Sequence, residues 1–213
     1  MYGNTIYVPG DYATIQLAIV NASNGDTVLV ADGTYSGSGN KDIDFFGKSI
    51  YLKSENGYEN TIIDCEESGR GFYFHLAEDS TTIVDGFTII NGHVGSEHGG
   101  GIFIEYASPK IMNTKIKFCY AVEKGGGFYV GAQASPTFSN CIIENNGGAA
   151  DGKTDQGGNG YVDTGSIKMI NCTIELGIAQ FNASGIYVYN AAEDILFNKC
   201  NFYNNDVTYG GNS

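Results

Sequence analysis

Apolar and polar residues alternate in short runs along most of the chain, and the runs recur. Five segments align: VDGFTIING at 84–92, IMNTKIKFC at 111–119, FSNCIIENN at 138–146, MINCTIELG at 169–177 and FNKCNFYNN at 197–205. One column of this alignment holds Phe87, Thr114, Cys141, Cys172 and Cys200, spaced by 27, 27, 31 and 28 residues. Two residues further on lies an apolar column of Ile89, Ile116, Ile143, Ile174 and Phe202, and Asn113, Asn140 and Asn171 stand just before the first column. A second family of short runs lies between the copies: GFYF at 71–74, GIFI at 101–104, GFYV at 127–130, GYVD at 160–163 and GIYV at 185–188. A period of two marks each run as a strand, and the Gly/Asn-rich stretches between them mark corners. Units this short cannot close a core alone and must stack on their neighbours. Stacked as successive coils, equivalent residues sit one strand spacing apart, ~4.8 Å, which allows asparagines at a corner to form an amide ladder. The expected fold is all-β: a single-stranded parallel β-solenoid of ~7–8 coils.

The first coils are less regular, with strand-turn units at 26–35, 48–57 and 60–65. Before them, DYATIQLAIVNA at 11–22 places Ile15, Leu17, Ala18, Ile19 and Ala22 at nearly helical spacing. A short N-terminal capping α-helix is expected there, with Asp11 as N-cap and Gly25 as terminator. It would cover strand edges and core that an open solenoid end exposes. The expected organisation is a strand and capping helix over 1–25, then coils over 26–213, forming one structural domain. Gly-Gly at 210–211 stands where earlier repeats begin their next strand. Coils are therefore expected to continue past residue 213, with a leader peptide already removed.

Composition narrows the picture. With 11 Lys+Arg against 24 Asp+Glu in 213 residues, the net charge of −13 disfavours nucleic acid and anionic membranes as partners. No apolar run approaches the roughly 18 residues of a membrane span. The 31 glycines oppose a helical bundle, while 42% hydrophobic residues oppose disorder.

VPGDYATIQLAIVNASNGDTVLVADGTY at 8–35 closely resembles the opening of pectin-lyase-like right-handed β-helix proteins. GGGIFIEYASPKIMN at 99–113 and GGGFYVGAQASPTFSNCIIENN at 125–146 resemble the repeats of secreted and surface-displayed β-helix proteins. The resemblance implies a right-handed solenoid at an extracellular or cell-surface location. It does not select a function, because members include polysaccharide lyases, glycoside hydrolases, epimerases and non-catalytic adhesins. The signatures of its catalytic types are absent: Asn-Thr-Asp, Gly-His-Gly, Arg-Ile-Lys and Asp-Pro-His-Asp do not occur, and one arginine, Arg70 in ESGRGFYF, stands where such an enzyme could use it.

Three groups of residues carry candidate chemistry. The five cysteines at 65, 119, 141, 172 and 200 have no zinc spacing and are expected as reduced core thiols. Tyr73, Phe103, Tyr129 and Tyr187, with Val162 in the gap, should form an outward aromatic stripe, a candidate platform for stacking a polysaccharide or cell-surface glycan. Loops at 93–98, 120–124, 147–159 and 177–184 should stack into one wall holding His93, Glu97, His98, Glu123, Lys124, Asp151, Asp155 and Asp163. Among these, Glu97, Glu123 and Asp151 are candidate catalytic carboxylates, since glycoside hydrolysis needs two carboxyl groups ~5–9 Å apart. Asp151, Asp155 and Asn159 offer oxygens to Ca²⁺, although DGKTDQGGNG at 151–160 lacks the sixth-position glycine and closing glutamate of an EF-hand loop. No cofactor is required by any motif. The leading expectation is a non-catalytic scaffold, adhesion or carbohydrate-binding region of a larger secreted or surface protein. The alternatives are a fragment of a polysaccharide lyase or glycoside hydrolase, and a structural protein that self-associates end to end through open strands.

Overall fold

A computed structural model describes residues 3–149, 152–191 and 194–207. The chain winds through three parallel sheets, visiting each once per coil. The first sheet has eight strands, from Thr5–Val8 and Thr27–Val30 through Lys110–Met112 to Ile195–Asn198. The second has seven, from Gly33–Tyr35 through Lys115–Lys117 to Asn201–Tyr203. The third has six, from Ile43–Asp44 through Phe128–Val130 to Ile186–Tyr189. About six full turns result, fewer than the ~7–8 expected. The coils at both ends are partial: Thr5–Val8 is followed by the helix in place of strands, and of the three sheets the last coil is described on the first and second only. Among the described residues, the strand pair Gly148–Ala149 with Gly152–Lys153 and the single bridge between Gly69 and His93 are antiparallel, and the other pairings are parallel.

The core is built from the inward half of each alternation. Val28, Leu52, Val84, Ile111, Phe138 and Met169 fill it from the first sheet, and Ile63, Ile89, Ile116, Ile143 and Ile174 from the second, all buried. Register pairs Ile89, Ile116, Ile143, Ile174 and Phe202 rung upon rung. The third sheet contributes Phe72, Phe74, Ile102, Ile104, Phe128, Val130 and Val162. Gly160 stands where other coils carry Phe or Ile, because a Cβ there would collide with the Phe128 ring.

The corner between the first two sheets turns through left-handed backbone at Asn113, Asn140 and Asn171, with φ of 45°, 54° and 53°. Asparagine tolerates this region better than other side chains. The amides form the expected ladder: Asn140 Nδ2 donates to Asn113 Oδ1 at 3.1 Å and Asn171 Nδ2 to Asn140 Oδ1 at 2.8 Å. Asp85 extends it by accepting from Asn113 and from the Tyr51 hydroxyl.

The capping helix spans Ile15–Asn21 and buries Ile15, Ala18 and Ile19. Its N-cap is Thr14, whose hydroxyl accepts from Leu17 N–H, and not Asp11. The chain first folds back, with Asp11 and Tyr12 N–H both donating to the Tyr7 carbonyl and the Asp11 carboxylate accepting from Tyr7 N–H. That turn delays the N-cap by three positions, from Asp11 to Thr14. Leu17 faces outward, 49% exposed. Lys48 Nζ closes the far end by donating to the carbonyls of Ile19, Val20 and Ala22, where the helix dipole favours a cation.

All five cysteines are free, with Cys65, Cys119, Cys141 and Cys172 buried and Cys200 half-buried. Burial pushes the Cys65 and Cys141 thiols up and raises Cys119 to about 12. The hydrogen bond with Cys141 lowers the Cys172 thiol to about 7, but Cys172 is buried, so Cys200, the most accessible cysteine, should react first with a disulfide-exchange reagent in the folded protein. The remaining four should react only at the rate of unfolding, counted spectrophotometrically with and without denaturant. For the amide ladder, Asn140→Ala should cost about 1–2 kcal/mol by urea denaturation, and Asn140→Gly, which keeps the backbone angle, should cost less.

Candidate functional site

The outward positions of the third sheet form a continuous ring ladder. Backbone register stacks Tyr73, Phe103, Tyr129, Tyr161 and Tyr187 on successive coils. Centroid separations from rung to rung are 5.1, 5.3, 6.0 and 5.2 Å. The gap expected at Val162 is filled by Tyr161, and Val162 is a core residue. The strand at Gly160–Asp163 is shifted by one residue because Gly160, and not Tyr161, pairs with Phe128.

This stripe is not open along its length. Tyr73, Phe103 and Tyr187 are half-buried, but Tyr129 and Tyr161 retain only 6% and 2% exposure. Cationic and imidazole side chains cover them. Arg70 Cζ lies 5.1 Å from the centroids of both Tyr73 and Phe103, and Lys124 Nζ lies 4.8 Å from that of Tyr161. His75 stacks on Tyr73 at 4.2 Å and His98 on Tyr129 at 4.7 Å. Such contacts are attractive because the ring face carries negative quadrupole density. The sequence carries a sign of this cover: Arg70, His98 and Lys124 each directly precede the glycine that leads into an aromatic strand, with Glu97 before His98 and Glu123 before Lys124.

Carboxylates close the outer layer. Arg70 Nη2 pairs with Glu97, Lys124 Nζ with Asp163 at 2.7 Å, and His75 with Asp44 at 3.1 Å. Glu123 Oε2 stands 3.7 Å from His98 Nδ1, and the Tyr129 hydroxyl donates to Asp163 at 3.3 Å. Burial raises the Tyr129 phenol further above its usual range, reinforced by Asp163 and Glu105. For Lys124, burial pulls downward but the Asp163 carboxylate outweighs it, so the ammonium is held charged. His98 is pushed down, first by burial and then by Lys124 and Arg70, against the upward pull of Glu123 and Asp163.

Segments of the expected loop wall stack on successive coils. His93–Val94 pairs in parallel with Tyr120–Ala121, and Lys124, Gln156 and Asn182 bridge successive coils. Of the candidate carboxylates, Glu97 and Glu123 lie in this wall, while Asp151 falls outside the described residues. Asp155 also lies in the wall, where burial and the neighbouring Glu123 raise its carboxyl. Asn159 does not serve as an outward oxygen ligand. It is fully buried, and its Oδ1 accepts from both Asn146 N–H and Nδ2. Its Nδ2 donates to the Glu175 carbonyl and to Asn205 Oδ1. It fills the space beside Gly177, where a Cβ would strike it, and so completes an internal amide ladder from Asn146 to Asn205. Sequence spacing alone could not show this inward turn, since Asn159 stands outside the repeat column it enters. Among the described residues, no group of three His, Cys, Asp or Glu side chains is placed to hold a metal ion.

His98 supplies a pH test. Its folded value lies below its unfolded one, so its contribution to stability is present above the unfolded value of ~6.5 and is lost as pH falls through the folded value. Between about pH 7 and pH 5, thermal melts should show the wild type losing stability faster than His98→Gln. Parallel curves for the two proteins would contradict the buried-imidazole assignment.

No helix among the described residues is long and apolar enough to cross a membrane. The chain matches the family described as "Right handed beta helix region" over residues 4–174. No curated protein and no solved structure matches it. With parallel coils and most of its length in the match, the chain belongs to the right-handed β-helix family.

Proposed function

We propose that this chain is a non-catalytic, rigid β-helix region of an extracellular or cell-surface protein, serving as a scaffold that spaces or presents other groups. The observation that carries this reading is the closed ring ladder. Tyr129 and Tyr161 are covered by His98 and Lys124, and Asp163 is committed to Lys124 and to the Tyr129 hydroxyl on the same face. Groups used up in holding coils together are not poised for proton transfer, which requires a carboxylic acid and a carboxylate free to face a substrate. Extensive in-register pairing along three sheets supports stiffness, since no coil can move without breaking contacts to both neighbours.

A second reading, glycan contact, draws on the half-exposed rings Tyr73, Phe103 and Tyr187. A third, glycoside cleavage, draws on Asp155, whose carboxyl is raised by burial and by Glu123 as an acid's would be. One panel separates the three. The chain is incubated with neutral glycans and polyuronates, with and without Ca²⁺, following both retention and new reducing or unsaturated ends. The scaffold reading expects neither. Retention abolished by Tyr73→Ala with Tyr187→Ala would establish the glycan platform. Turnover abolished by Glu123→Gln or Asp155→Asn would establish an enzyme and overturn the proposal.

A further inference from the structure

Arg70 differs from every other cation on the ladder. Its side chain is only 5% exposed, yet Nη1 has no hydrogen-bond partner and is shielded from solvent. Nη2 is held by Glu97, whose own side chain is 67% exposed. A cleft of about 360 Å³ adjoins the guanidinium, lined by Asp42, Gly69, Arg70, His93, Ser96 and Glu97 among others. The guanidinium plane is fixed by Tyr73 and Phe103, and Arg70 N–H is anchored on Asp42 Oδ1 at 3.0 Å. Later coils carry Gly100 and Gly126 at the corresponding place, where a Cβ would strike neighbouring backbone, so this feature occurs at a single coil.

A guanidinium with one amino group unmet and the other on an exposed carboxylate is half of a bidentate carboxylate site. We propose that Arg70 is a binding site for a small carboxylate ligand, and that Glu97 is the chain's own placeholder in it. The incoming carboxylate would displace Glu97 to solvent and take both amino groups, satisfying Nη1. One carboxylate replaces another beside Arg70, so the guanidinium stays paired while the displaced Glu97 carries its charge into solvent. Glu97 can leave once a second carboxylate takes its place, since its own side chain is largely exposed and stays solvated. Its loop is bounded by Gly95 and Gly99. The cleft has ample room for a small carboxylate, and His93 and Ser96 line it as further polar groups.

The test uses the full chain and sodium acetate as probe, titrated at constant ionic strength and followed by the side-chain ¹H–¹⁵N resonance of Arg70 and by calorimetry. The expected result is saturable binding in the wild type, several-fold tighter binding by Glu97→Gln, and loss of binding in Arg70→Lys, which keeps the charge but not the fork. Equal affinity in wild type and Glu97→Gln would overturn the placeholder. No saturable shift of the Arg70 resonance in either protein, or binding retained by Arg70→Lys, would overturn the site itself. If Arg70→Lys fails to fold by circular dichroism, the Arg70 resonance and the Glu97→Gln comparison still decide the matter.

Discussion

Every coil of this protein rests on the demand that a side chain pack against its own equivalent one strand spacing away. A column therefore accepts only residues that tolerate near-copies of themselves. Branched aliphatics do so by dispersion, asparagines by donating with one amide atom and accepting with the other, and aromatic rings by offset stacking. The inner isoleucine column, the Asn113–Asn140–Asn171 corner and the ring ladder from Tyr73 to Tyr187 are three solutions to the same constraint.

Charge is the group that such stacking handles worst, because like charges would repeat along a column. The chain interleaves much of it, although Glu144 and Glu175 stand in register on adjacent coils of the second sheet. On the second sheet Lys115 reaches Glu144 on the next coil at 3.1 Å. On the third sheet Arg70, His98 and Lys124 are spread over successive rings and each faces a carboxylate. A net charge of −13 is thus compatible with long in-register sheets, since the cations present are placed where repulsion would otherwise accumulate. The same interleaving removes an open aromatic platform from the middle of the ladder and leaves Arg70, the deepest cation, incompletely paired.

Irregular coils show how the constraint is repaired when sequence breaks it. Gly177 leaves a hole in the inner corner column, and Asn159, arriving from a separate loop, fills it with an amide that restores the hydrogen-bond chain. Gly160 leaves room that the Phe128 ring enters. Both repairs join residues that alignment of the repeats would never place together.

The repeats, the inward columns, the asparagine corner and the buried thiols were legible from residue order, because strand period and coil length are local properties that stacking reproduces at every rung. Tertiary structure decided the rest. The N-cap moved from Asp11 to Thr14 because of a turn closed on the Tyr7 carbonyl. Tyr161 took the place expected for Val162 because pairing with Phe128 set the register. Asn159 turned inward because a neighbouring coil offered a vacancy. The cover over the aromatic rings depended on where Arg70, His98 and Lys124 reach across coils, a distance in space that residue order does not encode. Periodicity along the chain determined the solenoid; contact between coils determined which of its side chains remain free to act.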